Sequence, residues 1–196
     1  MSWLFTKSSD RKRVLASFAY GYVAAIPALA IEMTLPDFAL AEPAFNLAAR
    51  SYLVSGLVEE AIKFFLIIFI LRRFRTDEGR TNPATFGAVA ALGFATLENV
   101  LVGDRTVPIL LLRSATAVPL HVSLAIVMVW GLRPIVRPTY SRILLTLMIA
   151  TAAHGTYDLL LSIRGPISIV SLGIVIVLAV VSIALIRKLR FEGNRT

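Results

Sequence analysis

The stretch LVEEAIKFFL (Leu57–Leu66) decides how this chain is read. Two adjacent acids and a lysine interrupt a run that is otherwise apolar from Tyr52 to Leu71. Charges within such a run cost free energy unless something compensates for them. Their meaning depends on the rest of the sequence. The chain has 196 residues, of which 57% are hydrophobic and 16% charged, with a mean hydropathy of +0.78. Soluble domains are nearer 45–50% apolar and about 25% charged.

A helix crosses a bilayer core with about 20 apolar residues. Six runs meet that length: 14–34, 52–71, 84–102, 113–132, 143–162 and 167–186. Turn-forming stretches separate them, among them Pro36 and Pro43, Gly103-Asp104, "RPIVRP" from Arg133 to Pro138, and Arg164-Gly165-Pro166. The expected fold is all-α. It is a polytopic helical membrane protein of about six transmembrane helices, with a polar site between the second and fifth. Residues 1–196 form one integral membrane domain whose core motifs lie within 52–162. No repeat or separate soluble domain is visible.

The net charge of +8 and pI near 10.4 suggest nucleic acid only if the chain is soluble. Here the basic residues fall in clusters between apolar runs. Lys7, Arg11, Lys12 and Arg13 precede the first span, and Arg72, Arg73, Arg75 and Arg80 follow the second. Arg133, Arg137 and Arg142 follow the fourth, and Arg187, Lys188, Arg190 and Arg195 follow the sixth. The alternate connections hold Arg50, Arg105 and Arg164 beside Asp37, Glu42 and Asp104. Positive charge marks the cytoplasmic side, so both termini are expected there and no nucleic-acid partner is implied. The first span also has the layout of a signal peptide, a basic start and an Ala28-x-Ala30 site. Its apolar stretch is long for one, and cleavage leaves the other five spans as they are.

With no cysteine, the chain has neither thiolate ligands nor a cysteine nucleophile. The ionisable residues inside spans are Glu59, Glu60 and Lys63 in the second, Glu98 in the third, His121 in the fourth, and His154 and Asp158 in the fifth. Such residues are rare and mark functional sites. Glu59 and Lys63 are four apart and share a helix face, as do His154 and Asp158; Glu60 points about 100° from Glu59. At 1.5 Å per residue, Glu59, Glu60 and His154 lie about 10–12 Å below the outer surface, and Glu98 about 6–8 Å. His121 matches that depth only if its helix begins near Arg113, which places 107–112 at the interface. The acids and histidines then meet in the outer half of the bilayer.

Singly, each has a plainer reading. Glu59 and Lys63 make a structural ion pair, His121 hydrogen-bonds another helix, and Asp158 and Glu32 are solvated at the boundary. Convergence favours one site. Two histidines and a carboxylate form a zinc ligand set with an open position for water. A further glutamate serves as base and proton donor for hydrolysis.

The motifs "EEAIK" (59–63), "FATLEN" (94–99), Leu120-His121 and "HGTYD" (154–158) fall in that order on successive spans. This pattern resembles the PrsW family of intramembrane proteases, grouped with the CAAX prenyl endopeptidases and bacterial Abi proteins. Those relatives carry an arginine after the double glutamate and a Phe–His motif in place of "FATLE"; Lys63 and Glu98 favour the PrsW branch. Arg113, eight residues before His121, fits the family's run-up to that histidine. The resemblance covers the second to fifth spans. It implies a prokaryotic plasma-membrane protease that cuts a membrane-anchored protein or peptide, such as an anti-sigma factor, near its extracytoplasmic end. It implies Glu59 or Glu60 as general base, Glu98, His121 and His154 as zinc ligands, Asp158 orienting His154, and Lys63 balancing charge. A metal-free mechanism, with a glutamate and histidines holding the water, is open within the same group. Two other classes compete: a silent scaffold on this fold, and a proton-coupled transporter. Against the transporter, the polar residues sit at one depth and no inverted repeat is evident.

Overall fold

A computed structural model describes residues 8–35, 38, 42–74, 82–101, 106–132, 140–163 and 165–193. Among these there is no strand. The helices are α1 (Ser8–Thr34), α2 (Pro43–Ala49), α3 (Leu57–Arg73), α4 (Pro83–Leu101), α5 (Val107–Gly131), α6 (Tyr140–Ile163) and α7 (Ile169–Gly193). A π-helical segment, Arg50–Gly56, joins α2 directly to α3, and a 3-10 turn, Pro166–Ser168, leads into α7.

Five stretches are long and apolar enough to cross a membrane: Arg11–Thr34, Pro83–Leu101, Val107–Gly131, Tyr140–Ile163 and Pro166–Leu189. The expected second span falls on the π segment and α3. It is not among the five because α3 is only 17 residues long and carries Glu59, Glu60 and Lys63. Its helical path is nonetheless unbroken from Pro43 to Arg73. Their apolar outer faces suit lipid: Phe65, Leu111, Ile169 and Val180 are each more than 60% exposed.

One boundary differs from expectation. α5 begins at Val107, with Pro108 in its first turn, six residues before Arg113. Proline is tolerated there because the first-turn N–H groups have no helical acceptor. The basic residues at 7, 75, 80, 105, 133, 137, 164 and 195, and the acids at 37 and 104, lie outside the described residues.

Two glycines set the tightest crossing. A Cβ on Gly21 of α1 would lie 1.8 Å from the Ala90 carbonyl oxygen of α4, and one on Gly93 would lie 2.1 Å from that of Phe18. α1 and α4 therefore cross backbone against backbone, as small residues allow in membrane helices. α3 buries one stripe, Glu59, Glu60, Lys63, Phe64, Ile67, Ile70 and Leu71. Spacing near 3.6 turns that whole stripe inward. Its charged upper part meets α4, α5 and α6, and its apolar lower part enters the core.

Candidate active site

The four helices bring all seven expected residues into one cluster. Glu59, Glu60, Lys63, Glu98, His121 and His154 are each at most 5% exposed; Asp158, at 26%, is the outer member. The six buried residues have little access to solvent, so each of their charges must be met by another side chain or a ligand.

Lys63 Nζ lies at the centre. It donates to Glu60 Oε1 at 2.5 Å and more loosely to Glu59 Oε2 at 3.4 Å. It also lies 2.7 Å from His121 Nδ1. An ammonium has donors only, so His121 Nδ1 is the acceptor and its proton is on Nε2. Nε2 faces Glu98 Oε2 at 2.8 Å. Glu98 Oε1 is paired with Arg113, whose Nε donates to Asn99 Oδ1 at 2.9 Å. The Phe94 ring closes one side, its centroid 4.8 Å from Lys63 Nζ. The i,i+4 offset of Phe94 and Glu98 puts the aromatic next to the acid.

His154 repeats this layout. Its Nδ1 lies 2.7 Å from Glu60 Oε1, and its Nε2 lies 3.4 Å from Asp158 Oδ2. Ser55 of the π segment donates to the same Asp158 oxygen at 2.5 Å. The two imidazoles meet edge to face, with centroids 5.0 Å apart. Each turns Nδ1 to the centre and Nε2 to an outer carboxylate. Metal-ligating histidines have the same arrangement, the second nitrogen held by a carboxylate that fixes tautomer and ring orientation.

A metal test follows from these atoms. Glu59, Glu60, His121 and His154 each offer a ligand atom, and all four lie within 4.8 Å of one another. Glu60 Oε2 is buried without a hydrogen-bond partner among the described residues. Two imidazoles and two carboxylates, one of them with an unpartnered oxygen, fit a four-coordinate divalent ion. Glu98, expected as a ligand, lies outside this quartet, on the far side of the His121 ring.

Several residues were given no role at the site from the sequence. Ser55 supports Asp158, and Asn99 supports Arg113. Thr116 and Tyr157, 2.7 Å apart, tie α5 to α6. Glu32 was expected to be solvated at a helix end. It is instead half-buried, its Oε1 enclosed without a partner among the described residues. It lies within electrostatic reach of Glu98, His154, Asp158 and Lys63. The close crossing of α1 on α4 carries it there. Only its position at the outer end of the first span hinted at that.

Comparison with known proteins gives the family. The model of the PrsW family intramembrane metalloproteases matches residues 10–186. Protease PrsW of Bacillus subtilis (strain 168) is 28% identical over 157 residues, covering 76% of this chain and 69% of the relative. Protease PrsW of Clostridioides difficile (strain 630) is 25% identical over 182 residues, covering 84% and 75%. The enzyme of the same name from Geobacillus kaustophilus (strain HTA426) is 32% identical over 89 residues, covering 45% and 38%. No solved structure gives a significant match. With the match extending from the first helix into the last, the chain belongs to the PrsW family of intramembrane metalloproteases.

Proposed function

We propose that this protein hydrolyses a peptide bond near the extracytoplasmic end of a single-span membrane protein or peptide, at the Glu59/Glu60/His121/His154 cluster. The observation that carries this reading is the doubled geometry of the histidines. Both present Nδ1 to one point and rest Nε2 on a carboxylate. We assign zinc to that point, held by His121, His154 and Glu60. When bound, zinc supplies Lewis acidity to the attacking water and the scissile carbonyl.

The chain's own residues do the rest. Glu60 Oε1 already receives Lys63 and His154, while among the described residues Glu59 has the 3.4 Å contact to Lys63 and a 3.9 Å approach from His121. Glu59 is thus the freer acceptor and serves as general base, taking a proton from water and returning it to the departing amine. Asp158 and Glu98 hold the two imidazoles in orientation. Lys63 balances the paired acids. Residues 1–196 act as a single membrane domain with both termini cytoplasmic, as the basic clusters require, which puts the chamber in the outer half of the bilayer. A single-span anti-sigma factor is the substrate that the family resemblance suggests.

Purified protein in lipid, incubated with single-span substrates, tests the reading. Wild type is expected to cut, with zinc at one equivalent by elemental analysis. Glu59→Gln is expected to retain zinc and lose cutting, and His154→Ala to lose both. Equal cutting by all three would refute the site assignment.

A further inference from the structure

We propose that the Lys63 ammonium and the metal are alternative occupants of one cation seat. Lys63 fills the centre of the chamber in metal-free protein and withdraws when metal binds. The inference rests on the metalloprotease reading above and goes beyond it, giving Lys63 a role in loading rather than in balancing charge alone.

Three of the four residues in the metal-compatible quartet touch Lys63 Nζ: Glu60 at 2.5 Å, His121 at 2.7 Å and Glu59 at 3.4 Å. A neutral imidazole has one in-plane lone pair to give, and on His121 Nδ1 the ammonium uses it. Zinc takes that same lone pair at about 2.0–2.1 Å. On one axis, the two cations would lie within about 1 Å of each other, so they exclude each other. Glu60 Oε1 is equally committed, since Lys63 and His154 Nδ1 together occupy its two acceptor directions. That leaves Glu60 only Oε2, buried without a partner among the described residues, to offer a metal, with His154 Nδ1 held at Oε1.

The withdrawal has a path. Lysine carries a compact charge on a flexible four-carbon stem, so its head moves without shifting the helix. Glu59 Oε2 and the Phe94 face, whose centroid is 4.8 Å from Nζ, lie beside the present position. An ammonium that leaves His121 and Glu60 keeps a carboxylate and an aromatic face, where a desolvated cation is held. In metal-free protein the lysine meanwhile keeps two adjacent buried acids from facing each other unneutralised.

The test is zinc binding by purified protein in lipid nanodiscs, read by competition with a chelating dye. Lys63→Met is expected to bind about tenfold more tightly or better, a gain of roughly 1.4 kcal/mol. Lys63→Arg keeps the ion pairs and serves where the methionine variant fails to fold. Its guanidinium forks onto Glu60 and is harder to displace, so zinc binds more weakly than in wild type. Arg72→Gln removes one positive charge from the same helix, in its exposed last turn away from the chamber, and is expected to stay close to wild type. Thermal unfolding gives a second readout: zinc should stabilise Lys63→Met more than wild type. If Lys63→Met binds zinc no more tightly than wild type, or Arg72→Gln gains as much, the shared seat is overturned and the metalloprotease reading stands. If neither wild type nor any variant binds zinc, both fall.

Discussion

The two histidines look alike from the centre of the chamber, but they are held there by different means. His121 is held by charge: Nε2 faces Glu98, which is anchored by Arg113 and through it by Asn99. His154 is held by backbone proximity. A Cβ on Gly155 would lie 2.4 Å from Tyr52 Cδ1 and 2.9 Å from Tyr52 Cα, and one on Gly56 would lie 3.1 Å from the Thr151 carbonyl oxygen. The π segment and α6 can therefore press together, and the Glu60–His154 contact at 2.7 Å follows from that approach. A wall built from ion pairs tolerates changes of shape and fails when a charge is lost. A wall built from glycine contacts should do the reverse.

The largest effect is expected where shape decides. Gly155→Ala puts a methyl group against the root of the Tyr52 ring and, at 2.9 Å, against Tyr52 Cα, which cannot rotate away as the ring can. The π segment must then move by a large part of an ångström, carrying Glu59 and Glu60 away from His154. A misplacement of about 1 Å costs on the order of 100-fold in rate, and overpacking costs about 1–3 kcal/mol in stability. Substrate cleavage in lipid and thermal unfolding measure the two. Full activity in Gly155→Ala would show that the close approach does not set the site.

On the other wall a change of charge, not of shape, should matter. Glu98→Gln is nearly isosteric and is expected to weaken zinc binding by about 10–100-fold, the usual effect of removing a carboxylate behind a ligating histidine. It also strips Arg113 of its charged partner. Asp158→Asn is the matched change behind His154. It should cost less, because Asp158 is partly exposed and its contact is longer, 3.4 Å against 2.8 Å. Zinc affinity of the two variants, measured side by side, decides the comparison. Equal losses would mean that both histidines depend on their outer carboxylates to the same degree.

The two walls also differ in how legible they were. Apolar runs of spanning length, and the ionisable residues inside them, can be read directly because lipid penalises both exposed backbone and stray charge. Similar depth then brought Glu59, Glu60, Glu98 and His154 together, whereas His121 joined them on the premise of a helix starting near Arg113, and α5 starts at Val107. The expected Glu59–Lys63 pair is present, but it is not the shortest contact of Lys63. The i,i+4 rule picked Glu59, whereas the shorter contact is to Glu60 at i,i+3. Spacing on an ideal helix cannot rank those neighbours once other helices pull on the side chains. Nor does periodicity announce the π segment, whose extra residue per turn rotates everything before Gly56 relative to α3. That rotation decides which way Ser55 points. Glu32 was misjudged for a related reason: its surroundings depend on how α1 crosses α4, and a glycine pair fixes the crossing only once the partner is known.

Ser55 gives the smallest test of the comparison. Its hydroxyl donates to Asp158 Oδ2 at 2.5 Å across the π segment and α6, at the half-buried edge of the chamber. If backbone proximity alone positions His154, the hydroxyl is a refinement that keeps Asp158 turned toward Nε2. Ser55→Ala should then cost about 1 kcal/mol, as one net hydrogen bond does, or roughly a fivefold fall in cleavage. Tyr52 supplies a second tie, its hydroxyl 2.7 Å from Thr156 Oγ1, so the segment stays in place in the variant. A loss as large as that of Gly155→Ala would mean that the His154 wall, like the His121 wall, is held by its polar contacts, and the contrast between the two would disappear.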